Sequence, residues 1–150
     1  MLVKSLFINL VLIGLVAISA TAQSSKKARK FMVATANPVA SKVGYDILKR
    51  GGNAIDAMVA VQLMLNLVEP QSSGIGGGAF LLFYDAERNE VSSFDGRETA
   101  PLKAKGDLFL KEDGSPMKFF DGVVGGRSVG TPGTLKLLEV THKNYGSLPW

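Results

Sequence analysis

The segment Ala54–Val68 (AIDAMVAVQLMLNLV) constrains the chain most, because it is apolar on nearly every side and broken only by Asp56, Gln62 and Asn66. A helix without a polar face has to be covered all round, so it demands packing layers on more than one side. Asn53 caps it, Asp56 sits in its first turn, and Pro70 stops it after Val68. With 150 residues, 46% of them apolar, the chain is long enough for one domain with a sizeable core, and its composition argues against wholesale disorder. The absence of Cys excludes a disulfide framework, a thiolate metal site and a cysteine nucleophile within these residues.

Around this helix the order of elements is readable. Phe31–Ala36 (FMVATA) is short, apolar and bounded by Asn37-Pro38, the pattern of a buried strand. Asn37 and Pro38 then open a helix whose Val39, Val43 and Ile47 recur every four residues, until Gly51-Gly52 ends it. After a Ser- and Gly-rich loop from Gln71 to Gly78, the apolar run Ala79–Tyr84, the polar turn Asp85–Asn89 and the return Glu90–Asp95 predict an antiparallel hairpin. Asp107 is expected to cap a short helical turn holding Leu108, Phe109 and Leu110, and Glu112–Pro116 reads as a loop. Thr131-Pro132 is expected to cap and start a last helix reaching about Tyr145.

Lys4, an apolar run over residues 6–20 and the small-x-small site Ala20-Thr21-Ala22 form a secretory leader with cleavage before Gln23. The apolar run is short for a membrane span, although the basic cluster Lys26, Lys27, Arg29 and Lys30 would let an uncleaved leader anchor the chain. Export to the periplasm or medium is the expectation. The net charge of +4 is concentrated in the first 30 residues, since beyond Lys30 the other 12 basic residues face all 13 acids. No basic stripe with interleaved aromatics remains, so nucleic acid is not an expected partner.

Three features of the body could carry chemistry. Gly74-Ile75-Gly76-Gly77-Gly78 leads into a strand and lacks the Lys-Ser or Lys-Thr of a phosphate loop; its glycines instead allow a close backbone approach. Asp95-Gly96-Arg97-Glu98-Thr99-Ala100-Pro101 follows a strand, where Arg97 can offer a carboxylate two parallel hydrogen bonds, or can pair locally with Asp95 and Glu98. Thr131 and Thr134 read as capping residues rather than nucleophiles, and His142, the single histidine, lies in the last turn of a helix, where a charge can meet the dipole. A serine triad built on His142 has no supporting motif.

The ordered set Met32-Val33-Ala34, Gly44-x-x-Ile47-Leu48-x-x-Gly51-Gly52-Asn53-Ala54-x-Asp56-Ala57, Pro70-Gln71, Gly76-Gly77-Gly78 with Phe80, Asp95-x-Arg97-Glu98-x-Ala100-Pro101 and Gly130-Thr131-Pro132-Gly133 resembles the amino-terminal part of a gamma-glutamyltranspeptidase precursor. The resemblance covers roughly residues 31–149. It implies an α/β fold, the four-layer αββα sandwich of N-terminal-nucleophile hydrolases, of which the chain is an incomplete amino-terminal portion. The expected organisation is a signal peptide over 1–22, a basic linker over 23–30, and the front of the large-subunit domain over 31–150, truncated at its C-terminus.

The family's precursor cuts itself into a large and a small subunit. The resemblance therefore implies a small subunit from the same precursor as partner, and glutathione or another gamma-glutamyl compound as substrate. It implies further that the new terminal Thr would attack the gamma-glutamyl amide with its own amine as base, and that an acyl-enzyme would pass the group to water or an amino acid. Neither a metal nor an organic cofactor is called for. Arg97 is implied to hold the alpha-carboxylate of the gamma-glutamyl group, with Asp95 and Glu98 orienting its loop. The Thr-Thr-His-type cleavage motif does not occur in these residues, so no catalytic residue is assigned here and the chain by itself is expected to be inactive. A non-catalytic carboxylate-binding remnant and a related N-terminal-nucleophile acylase are the other readings.

Overall fold

Asn53 and Asp56 form a reciprocal cap: the Asn53 side chain accepts the Ile55 and Asp56 amides, and the Asp56 carboxylate accepts the Asn53 amide at 2.8 Å. Such a box satisfies amide groups that a helix start otherwise leaves unpaired, typically contributing about 1 kcal/mol. This computed structural model describes residues 27–150; the leader, its cleavage point after Ala22 and the first part of the linker lie outside the described residues. In order, the elements are α1 (Pro38–Lys49), α2 (Ala54–Val68), the single turn α3 (Pro70–Ser73), β1 (Ala79–Asp85), β2 (Glu90–Gly96), α4 (Phe119–Val123), a 3-10 turn (Gly126–Ser128) and α5 (Thr134–Tyr145). Met32–Trp150 is one compact unit.

Helix α1 starts where Asn37 accepts the Val39 amide and stops at Gly51, whose φ of 94° closes the helix in a conformation open to glycine. It lies tightly on α2 because Gly44 presents no side chain: a Cβ there would stand 2.6 Å from Val61 and 3.0 Å from Val33. The three polar interruptions of α2 each hold backbone. Asp56 takes the Asn53, Ser147 and Leu148 amides, Gln62 donates to the Ser73 carbonyl, and Asn66 accepts the Ile75 amide. The last two fix the segment leading into Gly76–Gly78.

Strands β1 and β2 pair antiparallel in the register Ala79 with Gly96 through Asp85 with Glu90, and Asn89 takes a positive φ of 53° in the turn. One face packs on α5, where Phe83 and Phe94 lie 4.8 and 6.0 Å from the Tyr145 ring. The core runs through Ala40, Ile55, Ala57, Leu137 and Leu138, and Gly96 lets β2 pass the Leu137 side chain.

Five expectations are corrected. Residues 31–35 form no strand and pair with none among the described residues. Their exposure still alternates residue by residue, the pattern of a strand that lacks its neighbour. Helix α2 is not covered all round: Leu63 and Leu67 are exposed, although α1, α3 and α5 pack on it. Asp107 starts a turn closed by its carbonyl and the Leu110 amide, not a helix. Thr131 does not cap α5; it is held extended opposite Thr99, and the cap position falls to Gly133. Finally, Pro70–Ser73, within what read as loop, forms one helical turn.

Candidate functional site

Arg97 follows the last residue of β2 and stands in a cleft of about 310 Å3, lined also by Asp95, Thr99, Thr131, Gly133 and Lys136. The chain reaches this point through a narrow slot. On one side lies the glycine segment, where a Cβ on Gly78 would be 2.8 Å from the Arg97 Cα and 2.6 Å from Glu98 Oε2. On the other, a Cβ on Gly130 would be 3.0 Å from the Glu98 Cβ, and one on Gly133 would overlap the Gly96 carbonyl. Glycines at these places let three backbone segments converge where any side chain would hold them apart. The expected close approach of Gly74–Gly78 is therefore to the Arg97 loop.

Hydrogen bonds lock the slot. Asp95 Oδ1 accepts the Arg97 amide at 2.9 Å. Thr99 and Thr131 exchange both backbone bonds, at 3.3 and 2.8 Å. The Gly77 carbonyl accepts the Gly133 and Thr134 amides and the Thr134 hydroxyl. Glu98 is half-buried; its Oε2 lies 3.2 Å from Arg97 Nε. Local pairing and an open fork thus coexist: the ion pair engages Nε, and the side chain of Arg97 remains 68% exposed. Its terminal nitrogens have no partner among the described residues, an arrangement suited to a planar anion.

Arg97, Asp95 and Glu98, singled out in the sequence, lie together here. The sequence marked no site role for Thr99, Lys136 or Gly133, which line the same cleft. Gly130-Thr131-Pro132-Gly133 was the available signal, since such a run matters when another backbone must pass close by. Thr134 carries no nucleophile's base; its buried hydroxyl is bonded to Gly77. A second, wider groove of about 850 Å3 runs beside His142 and Trp150. There the His142 Nε2 is 3.2 Å from the buried Asp56 carboxylate, so the histidine ties two helices rather than serving a serine. Among the described residues no group of three or more His, Cys, Asp or Glu could hold a metal, and no helix is long and apolar enough to cross a membrane.

The architecture matches solved structures. Helicobacter pylori gamma-glutamyltranspeptidase superposes with a TM-score of 0.77 at 36% identity, over 83% of this chain and 35% of that one. Cephalosporin acylase from Bacillus halodurans superposes with a TM-score of 0.63 at 28% identity, over 87% of this chain and 25% of that one. The fold is an incomplete portion of the N-terminal-nucleophile hydrolase class to which these neighbours belong. The family profile described as gamma-glutamyltranspeptidase matches residues 40–150. The glutathione hydrolase proenzyme of Bacillus subtilis (strain 168) is 51% identical over 116 residues, 77% of this chain and 20% of that protein. The chain belongs to the gamma-glutamyltranspeptidase family, and it spans about a fifth of the length of the curated relatives it matches.

Proposed function

We propose that this chain forms the amino-terminal part of the large subunit of an exported, self-processing gamma-glutamyltransferase or glutathione hydrolase. In the complete protein a terminal Thr outside these residues takes the gamma-glutamyl group of glutathione or a related amide, releases the amine, and passes the acyl group to water or an amino acid. The nucleophile's small subunit comes from the same precursor. The names of the relatives support the substrate class, and the leader composition supports export.

The observation that carries this reading is the Arg97 guanidinium, anchored through Nε by Glu98 yet largely exposed in the cleft. Its role is to bind the alpha-carboxylate of the gamma-glutamyl group through two parallel hydrogen bonds, holding the distant gamma-carbonyl at a fixed reach. Asp95 and Glu98 set the loop and the side chain that perform this. The test is Arg97→Lys in the complete enzyme, which keeps the charge and removes the paired geometry. A raised KM for gamma-glutamyl anilides with thermal stability retained supports the reading; a loss of stability with unchanged KM assigns Arg97 to a structural ion pair. Comparing gamma-glutamyl with other acyl anilides on the same enzyme separates a transpeptidase from an acylase.

A further inference from the structure

We propose that Thr134 is a positioning residue for Arg97, acting through the glycine wall; the inference rests on Arg97 as the carboxylate-binding residue. The Gly77 carbonyl takes three donors: the Gly133 amide at 3.1 Å, the Thr134 amide at 3.2 Å and the Thr134 hydroxyl at 3.0 Å. The two amides come from the start of α5 and would be present with any residue at 134. The third donor needs a hydroxyl, and Thr134 is buried to 1% exposure, so water does not replace it there.

What Gly77 does is transmitted to Arg97 without slack. Gly78, the next residue, lies so close to Arg97 and Glu98 that a Cβ would stand 2.8 Å from the Arg97 Cα and 2.9 Å from the Glu98 amide nitrogen. Glu98 leans on the same wall, with Oε1 3.3 Å from where a Gly77 Cβ would be, and its other oxygen holds Arg97 Nε. The loop has no room to retreat either, because Gly130 and Gly133 close the slot from behind. The Thr134 hydroxyl therefore fixes the wall that sets where the guanidinium stands in the cleft, while touching no substrate itself.

The experiment compares Thr134→Val, Thr134→Ser and Arg97→Lys in the complete enzyme, with L-gamma-glutamyl-p-nitroanilide as the probe. Valine keeps the shape and removes one donor; serine restores it. Thr134→Val is expected to raise KM about fivefold with kcat within about twofold, and Thr134→Ser to return KM close to wild type. A Thr134→Val enzyme with unchanged KM, or equal losses in the Val and Ser variants, overturns the proposal. If Arg97→Lys raises KM while Thr134→Val does not, the positioning role alone fails; if Arg97→Lys leaves KM unchanged, the carboxylate reading fails and takes this role with it. Should the valine variant yield no soluble enzyme, Thr134→Ala removes the same donor with less bulk: a raised KM with retained kcat supports the proposal, and a wild-type KM overturns it.

Discussion

His142 Nε2 lies 3.2 Å from Asp56 Oδ1, joining the last turn of α5 to the first turn of α2. The carboxylate is 3% exposed and the imidazole 12%, and the same carboxylate accepts the amides of Asn53, Ser147 and Leu148. One buried acid thus closes a helix cap, orders the chain after α5 and receives a side chain from α5. Removing it strands several donors at once, which costs more than losing any one bond. In the complete protein Asp56→Ala is expected to lower stability by about 2–4 kcal/mol, and His142→Gln by less, since the three amide bonds survive. Denaturant midpoints and amide exchange at Asn53 and Ser147 check this; equal effects of the two substitutions would contradict it.

The contact between α1 and α2 depends on a missing side chain. A methyl at Gly44 would meet Val61 Cγ2 at 2.6 Å, closer than carbon atoms pack without displacement. Gly44→Ala is expected to cost about 1–3 kcal/mol by overpacking, and Val61→Ala in the same protein to recover part of it. A double-mutant cycle on the unfolding midpoint measures that coupling; strict additivity would show that the helices shift apart freely.

Much of this was legible in the sequence because it is governed by neighbours along the chain. Asn37 and Asn53 cap helices through amides two and three residues away, and a hairpin needs only its two runs and a polar turn. The Asp56–His142 pair was not legible, for nothing local marks two residues so far apart in sequence as partners. Thr131-Pro132 looked like a cap because local chemistry favours it, but pairing with Thr99 competes for the same backbone groups and wins. The glycines around Arg97 could be recognised as a need for close approach, whereas what they approach is decided by tertiary packing.

Glu69 links the end of α2 to the start of α1. Its Oε1 accepts the Asn37 amide group at 3.0 Å and its Oε2 accepts that of Gln71 at 2.7 Å. These bonds, the Asn37 one foremost, hold its pKa below the ordinary value of 4.5. A depressed carboxylate contributes its stability above the ordinary value and loses it as pH falls through the lowered one. The Asn37–Glu69 link should therefore be intact at neutral pH and weaken only in acid below that value. Thermal midpoints of wild type and Glu69→Gln are expected to differ near neutrality and to converge as acid protonates the wild-type carboxyl; a gap that widens in acid would reverse the assignment.

Arg97 and Glu98 predict an order of effects in catalysis. Lys at 97 keeps a cation but not the two-pronged geometry, so KM for a gamma-glutamyl anilide is expected to rise at least about tenfold in the complete enzyme. Glu98→Gln keeps an acceptor near Arg97 Nε and the contact with Gly77–Gly78, so its KM is expected to rise less. A larger effect at 98 than at 97 would move the substrate contact from the guanidinium to the carboxylate.

The hairpin's second face sets how these residues behave by themselves. Phe80, Leu82 and Tyr84 of β1 and Val91 of β2 lie on the side away from α5 and are 59–75% exposed. A two-stranded sheet with an uncovered apolar face is not stable against association in water, and the exposed Leu63 and Leu67 of α2 add to the same demand. In the αββα sandwich such faces are interior, covered by layers that the rest of a full-length family member would supply. The 150-residue chain alone is therefore expected to self-associate and to bind a hydrophobic dye, and Leu82→Lys, on the outer face of β1, to reduce both. In the complete enzyme the same substitution buries a charge between layers and is expected to reduce soluble yield. Light scattering on the short chain and yield of the long one give opposite signs for one mutation; equal tolerance in both would mean that this face is solvent-exposed in the finished protein.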